Sequence, residues 1–106
     1  MPKYLIHASY TVEGTKGLLK DGGSKRRKQI KNAIESLKGK LEAFYYGFGD
    51  SDVYVIVELP DNVSAATLSL AVTASGAARP KTTVLLTPEE IDQATKTSFR
   101  YRPPGK

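Results

Sequence analysis

A chain of 106 residues with no cysteine and one histidine is a single domain that can form no disulfide, no thiolate metal site and no cysteine nucleophile, and it is poorly supplied for zinc. Its net charge of +5 points toward acidic partners, but the bases are unevenly spread: nine fall between Lys16 and Lys40 against Asp21 and Glu35, and four more lie from Lys96 onward. The longest apolar run, residues 53–57 with Tyr54 inside it, is far too short to cross a bilayer and no secretory signal opens the chain, so a soluble, cytoplasmic protein is expected.

Residues 3–10, "KYLIHASY", alternate as a strand, with Tyr4, Ile6, Ala8 and Tyr10 on one face and Leu5, His7 and Ser9 on the other. The stretch 11–40 is helical in character and broken at Gly22-Gly23. Ser24 suits the N-cap of the second piece, Ile30, Ala33, Ile34 and Leu37 form its apolar stripe, and Gly39 suits its end. Two alternating runs, 41–48 and 53–59, flank the polar connection "GDSD", which with Gly49 predicts a hairpin. Pro60 stops the third strand, because proline cannot donate to the ladder. Asp61 or Asn62 can cap a helix running to about Ala74, with Gly76 at its C-terminal end. Residues 79–87 predict a fourth strand. "TPEE" then places Thr87, Pro88 and Glu90 as a capping box for a short last helix. Residues 99–106 form a tail that is flexible unless a partner holds it.

The order β-α-β-β-α-β predicts one α+β domain over 1–106, a ferredoxin-like sandwich with an antiparallel sheet in the order 4-1-3-2 and a short C-terminal helix added. Both crossover helices then cover one sheet face. The purer apolar set, with Val53, Val55 and Val57, belongs under them. That leaves Leu5, His7, Phe44, Tyr46, Tyr54 and Ile56 among the residues of an uncovered face. A contiguous apolar patch of that kind is rare on a monomer, so a homodimer or higher oligomer joined through the open sheet face is expected.

The segments "KYLIHASYT", "GSKRRKQIKNAIESLKGKLEAFYYGFGDSDVYVIVELPDN" and "KTTVLLTPEEI" resemble the GYD-domain family nearly end to end. The family is named for a G-x-Y-D pattern in its β2–β3 connection. Gly49 and Asp52 match it, and Ser51 stands where the tyrosine is usual. The resemblance implies a dimeric α/β barrel and, the family being functionally uncharacterised, no particular activity.

"FGDSD" is superficially similar to the nucleophile block of G-D-S-type esterases, but the only histidine, His7, lies upstream on a strand, so polar turn residues are the better reading. Asp50 and Asp52 could hold a hard cation with Glu42 or Glu58, although aspartates in turns more often satisfy backbone groups; no metal and no cofactor is expected. His7 is the candidate catalytic residue, a general base should a carboxylate such as Glu42 or Glu58 approach it beside Tyr46 and Tyr54. Tyr10, Tyr45 and Tyr46 can line a cavity. At 100° per residue from Ile30, Arg26 falls on the apolar side of its helix, where its charge needs a carbonyl, a carboxylate or an anionic ligand. Arg26, Tyr10, Tyr46 and Asp52 are therefore the candidate ligand-binding residues.

Three functions follow. The first is a homo-oligomeric module that holds a small aromatic or acidic ligand in an interior cavity. The second is a cofactor-independent isomerase or monooxygenase-like enzyme using His7. Nucleic-acid binding through the basic helix is the third, disfavoured because the aromatics sit on the face expected to meet a second copy and are not free to stack bases.

Overall fold

The computed structural model describes residues 1–106 as β1 Lys3–Tyr10, α1 Val12–Asp21, α2 Gly23–Ser36, β2 Lys40–Tyr46, β3 Val53–Glu58, α3 Asn62–Ala74, β4 Ala78–Leu85 and α4 Pro88–Lys96. The four strands form one antiparallel sheet in the order β2-β3-β1-β4, the expected ferredoxin-like topology. No helix is long and apolar enough to cross a membrane.

Local chemistry explains most boundaries. Thr11 caps α1 by accepting the Gly14 N–H, Asp61 caps α3 through Ser64, and Thr87 and Glu90 complete the capping box of α4. The break between α1 and α2 falls at Gly22, whose φ of 82° is the left-handed region that only glycine occupies freely. Gly22 is thus the N-cap of α2, and Ser24, expected in that role, lies inside the helix. At the other end α2 stops at Ser36. Lys38 takes the left-handed position, at φ 63°, and the Gly39 N–H returns to the Ile34 carbonyl at 3.0 Å.

The central strands pair inward residue to inward residue, Tyr4 with Val57, Ile6 with Val55 and Ala8 with Val53. β2 departs from simple alternation. Its register to β3 runs Leu41 to Val57, then Ala43 to Ile56, so Glu42 is an extra residue in a bulge. An inserted residue moves every later side chain to the other face. Phe44 and Tyr46, expected on the open face, therefore lie under the helices, and Ala43 and Tyr45 replace them outside. Glu42 itself is held by the Lys3 ammonium at 3.0 Å.

α2 lies over β2 and α3 over β4, at opposite edges of the sheet. Between them the core divides into two unlike halves. At one end Tyr4, Ile34, Val57 and Leu59 are each less than 2% exposed, and the Tyr4 hydroxyl donates to Asn62 Oδ1 at 2.6 Å. At the other end small inward residues, among them Ala8 and Ala78, stand beside larger ones such as Tyr10, Phe44 and Val53. The core is thin: only 12 of 106 residues are buried, fewer than this chain length can bury on its own.

Candidate functional site

The small residues at the second end leave a half-open cleft between the sheet and the two splayed helices. Ala8 on β1, Ala78 on β4 and Ser69 on α3 present too little volume to meet Ile30 and Phe44 across the gap. The cleft holds about 90 Å³. A single water needs only about 10–15 Å³, and cavities on the order of 150 Å³ accept a benzene ring. Its walls are mainly aliphatic, with Tyr10, Ser69, Ser75 and Thr82 supplying polar atoms.

Arg26 is the one charged residue in that lining. It sits in the first turn of α2 on the side that carries Ile30 and Ile34, as helical periodicity predicts. Its guanidinium donates to the Gln29 side-chain oxygen at 2.5 Å and pairs with no carboxylate. A guanidinium keeps five N–H donors in a rigid fork, so most of its capacity is unspent at the mouth of an apolar cleft.

Tyr10 lines the same cleft, and Asp52 explains why it is held there. The Asp52 carboxylate accepts the Tyr10 N–H at 2.8 Å, while the Asp52 N–H donates to the Ala8 carbonyl at 2.9 Å. Asp52 thus prolongs the β3–β1 pairing past the end of β3. It positions Tyr10 and is not itself part of the cleft wall.

Tyr46 stands beside the cleft mouth, its hydroxyl donating to the Gly23 carbonyl at 3.0 Å and its ring meeting Phe44 edge-on at 5.2 Å. Burial, reinforced by the neighbouring Tyr10 hydroxyl, pushes the Tyr46 phenol up to about 12, against the opposing pull of Arg26 and Arg27. It is therefore a neutral donor throughout the physiological range. Because the folded value lies above the ordinary 10, the stability tied to the neutral phenol is complete below pH 10 and is lost as pH rises through 12. In a spectrophotometric titration of the six tyrosines, the last to ionise is expected near pH 12. Tyr46→Phe should remove that phase and no other. Its persistence in the variant would assign the late phase elsewhere.

His7 is on the other side of the sheet. Its Nδ1 lies 2.8 Å from Ser51 Oγ, and its ring stacks on Tyr54 with centroids 5.9 Å apart. The expected carboxylate neighbours are absent. Glu58 stands opposite Lys3 at the far end of the strand, and Tyr46 is on the opposite face. The serine of "FGDSD" and the only histidine, 44 residues apart, do meet, through the β1–β3 register. Yet Ser51 is 5% exposed, no carboxylate bonds the second ring nitrogen, and the pair faces away from the cleft. As placed, the pair ties the β2–β3 hairpin to β1. No three acidic or imidazole side chains converge anywhere in the chain.

The structure thus brings Arg26, Tyr10 and Tyr46 together, uses Asp52 as their support, and sets His7 apart. Sequence reasoning missed Ser69, Ser75 and Thr82. The available signal was the run of small residues at inward positions, Ala8 on β1 and Ala77-Ala78 entering β4, which marks where a core is left unfilled.

No curated protein matches the chain. The family model of the GYD domain matches residues 4–95, from β1 almost to the end of α4. With the resemblance of the hairpin and strand segments and the sheet order now in place, that match shows that the chain belongs to the GYD domain family.

Proposed function

We propose that the protein is a homo-oligomeric module that binds a small organic acid, its apolar body in the cleft and its carboxylate on Arg26. The observation that carries this reading is the pairing of an aliphatic cleft with one guanidinium that lacks a carboxylate partner. An apolar site with a few convergent polar groups is the usual form of a small-molecule site. Here the Arg26 fork supplies the charge, and the Ser69, Ser75 and Thr82 hydroxyls supply orientation. The assembly half of the reading is supported by the thin core and by the exposed Tyr45 and Tyr54 on the uncovered sheet face.

The test is calorimetric titration with benzoate and hexanoate, each beside its neutral amide. The acids are expected to bind better than the amides, and Arg26→Gln is expected to lose roughly 10-fold or more in acid affinity and none for the amides, the scale of a charged hydrogen bond. Acid and amide binding equally, or an Arg26→Gln protein with full affinity for the acids, would sink the proposal.

A further inference from the structure

Taken alone, the cleft is too small for a whole ligand. Its 90 Å³ falls short of the roughly 150 Å³ that accepts benzene and of the roughly 300 Å³ at which small-molecule sites begin. A bound acid must therefore continue beyond it, and the fold leaves space on two sides.

On the Arg26 side the neighbouring spaces run between α2 and β2 and are lined by Arg27, Lys28 and Lys31 beside Glu42. An alkyl chain laid there would strip water from charged groups and give them nothing in return. On the opposite side a groove of about 290 Å³ lies between α3 and β4, with Ala65, Ala66 and Val84 in its wall and no charged residue. Val84 shares the inward face of the sheet with its partner Tyr4, yet it is 53% exposed, so this part of the floor lies bare. At the far end the Tyr4 hydroxyl is already spent on Asn62 Oδ1.

Cleft and groove follow the same two elements. β4 is the floor of both, with Ala78, Pro80 and Thr82 in the cleft and then Thr82 and Val84 in the groove, a run of about 20 Å at the rise of an extended strand. α3 is the wall of both, with Val72 and Ser69 followed by Ser69 and Ala66. Ser69 and Thr82 are the two residues common to both linings, so the partition is one serine and one threonine. Neither is tied down. Thr67 and Ser75 on α3 donate to the Val63 and Val72 carbonyls, whereas the Ser69 and Thr82 hydroxyls make no hydrogen bond within the chain. Side chains open to solvent change rotamer within nanoseconds, and a partition of two small ones does not close the passage.

We propose that the acid is an unbranched alkyl acid longer than the cleft. Its carboxylate lies on Arg26, its first carbons pack against Ile30 and Phe44, and its tail passes between Ser69 and Thr82 to lie along Ala66 and Val84. An unbranched chain is the body that fits between two facing side chains. The inference rests on the acid site proposed above and adds the class of acid, but the two fail separately.

Calorimetric titration with hexanoate and decanoate, both below their micelle thresholds, tests it. In the wild type decanoate is expected to bind roughly 10-fold or more tighter, a modest share of what four buried methylenes can supply. Ala66→Phe fills the groove and Val84→Glu charges it, and both positions lie outside the cleft lining. In these variants the ratio is expected to fall to about twofold or less, because the extra methylenes stay in water. Arg26→Gln should weaken both acids and leave their ratio in place. Circular dichroism identifies the folded variants, and one folded groove variant decides. A wild-type ratio near one, or an undiminished ratio in a folded groove variant, overturns the tail path and leaves the Arg26 site standing. Failure of both acids to bind the wild type overturns the acid site and the tail path together.

Discussion

Gly14→Ala is expected to lower the stability of the protein by about 3 kcal/mol, an effect out of proportion to one methyl group. Alanine is the better helix former, so propensity alone predicts a gain. Space decides otherwise. A methyl carbon at Gly14 falls 1.8 Å from the Ala77 carbonyl oxygen and 3.0 Å from Cδ1 of Tyr10. The carbonyl cannot yield freely, because it accepts the Thr11 N–H at 3.0 Å, and next to it the Gly76 carbonyl accepts the Thr11 hydroxyl at 2.6 Å. Relieving the clash means moving α1 off the α3–β4 connection, with loss of at least one of these bonds. Overpacking of this kind costs about 1–3 kcal/mol, and a broken buried hydrogen bond adds about 1. Gly17→Ala on the same helix is the control, since a methyl there meets nothing within 4 Å, and it is expected to gain about 0.5–1 kcal/mol. Urea midpoints at one fixed protein concentration check both, because any oligomer makes the midpoint concentration-dependent. A Gly14→Ala protein as stable as wild type would show that α1 does not sit as described.

The contrast between Gly14 and Gly17 also shows what a linear reading reaches. Features governed by neighbours along the chain were legible: the alternation of β1 and β3, the stops at Pro60 and Gly76, the capping box at Thr87, and the inward turn of Arg26 from the helical period. Together with right-handed crossovers these settle the sheet order. Features governed by one residue of register were not. In "KLEAFYY" both faces of the strand carry aromatics whichever way the count begins, so period two could not reveal the bulge at Glu42, which is held by Lys3 from a distant strand. That single insertion exchanged Phe44 and Tyr46 for Tyr45 on the open face. The meeting of His7 with Ser51 has the same origin, a cross-strand register spanning 44 residues. The cleft was half legible. Its charged member lay on a helix whose period could be counted, while its emptiness depends on what three separate elements fail to fill.

That emptiness separates stability from binding within one core, which leads to a sharper test of the site. Leu59 is fully buried in the packed half, among Tyr4, Ile34 and Val57, and takes no part in the cleft lining. Leu59→Ala removes well-packed methyl groups and leaves a void, and about 3 kcal/mol of stability should be lost. Its effect on the affinity for benzoate, measured where the variant is fully folded, should be within about twofold. Ile30 is only half-buried and faces a space that is already partly empty. Its truncation to alanine should therefore cost less stability, about 1–2 kcal/mol. For a bound acid the ranking inverts. Ile30 stands one helical turn from Arg26, so the ring or chain of a ligand whose carboxylate lies on Arg26 must pack against it. Losing that wall should weaken binding roughly 10-fold, the scale on which apolar pockets respond to a few missing carbons. Urea unfolding and calorimetry on the two variants form a crossed comparison. If Leu59→Ala lowers affinity as much as Ile30→Ala, the cleft is not where the acid sits, and the guanidinium of Arg26 answers to a different partner.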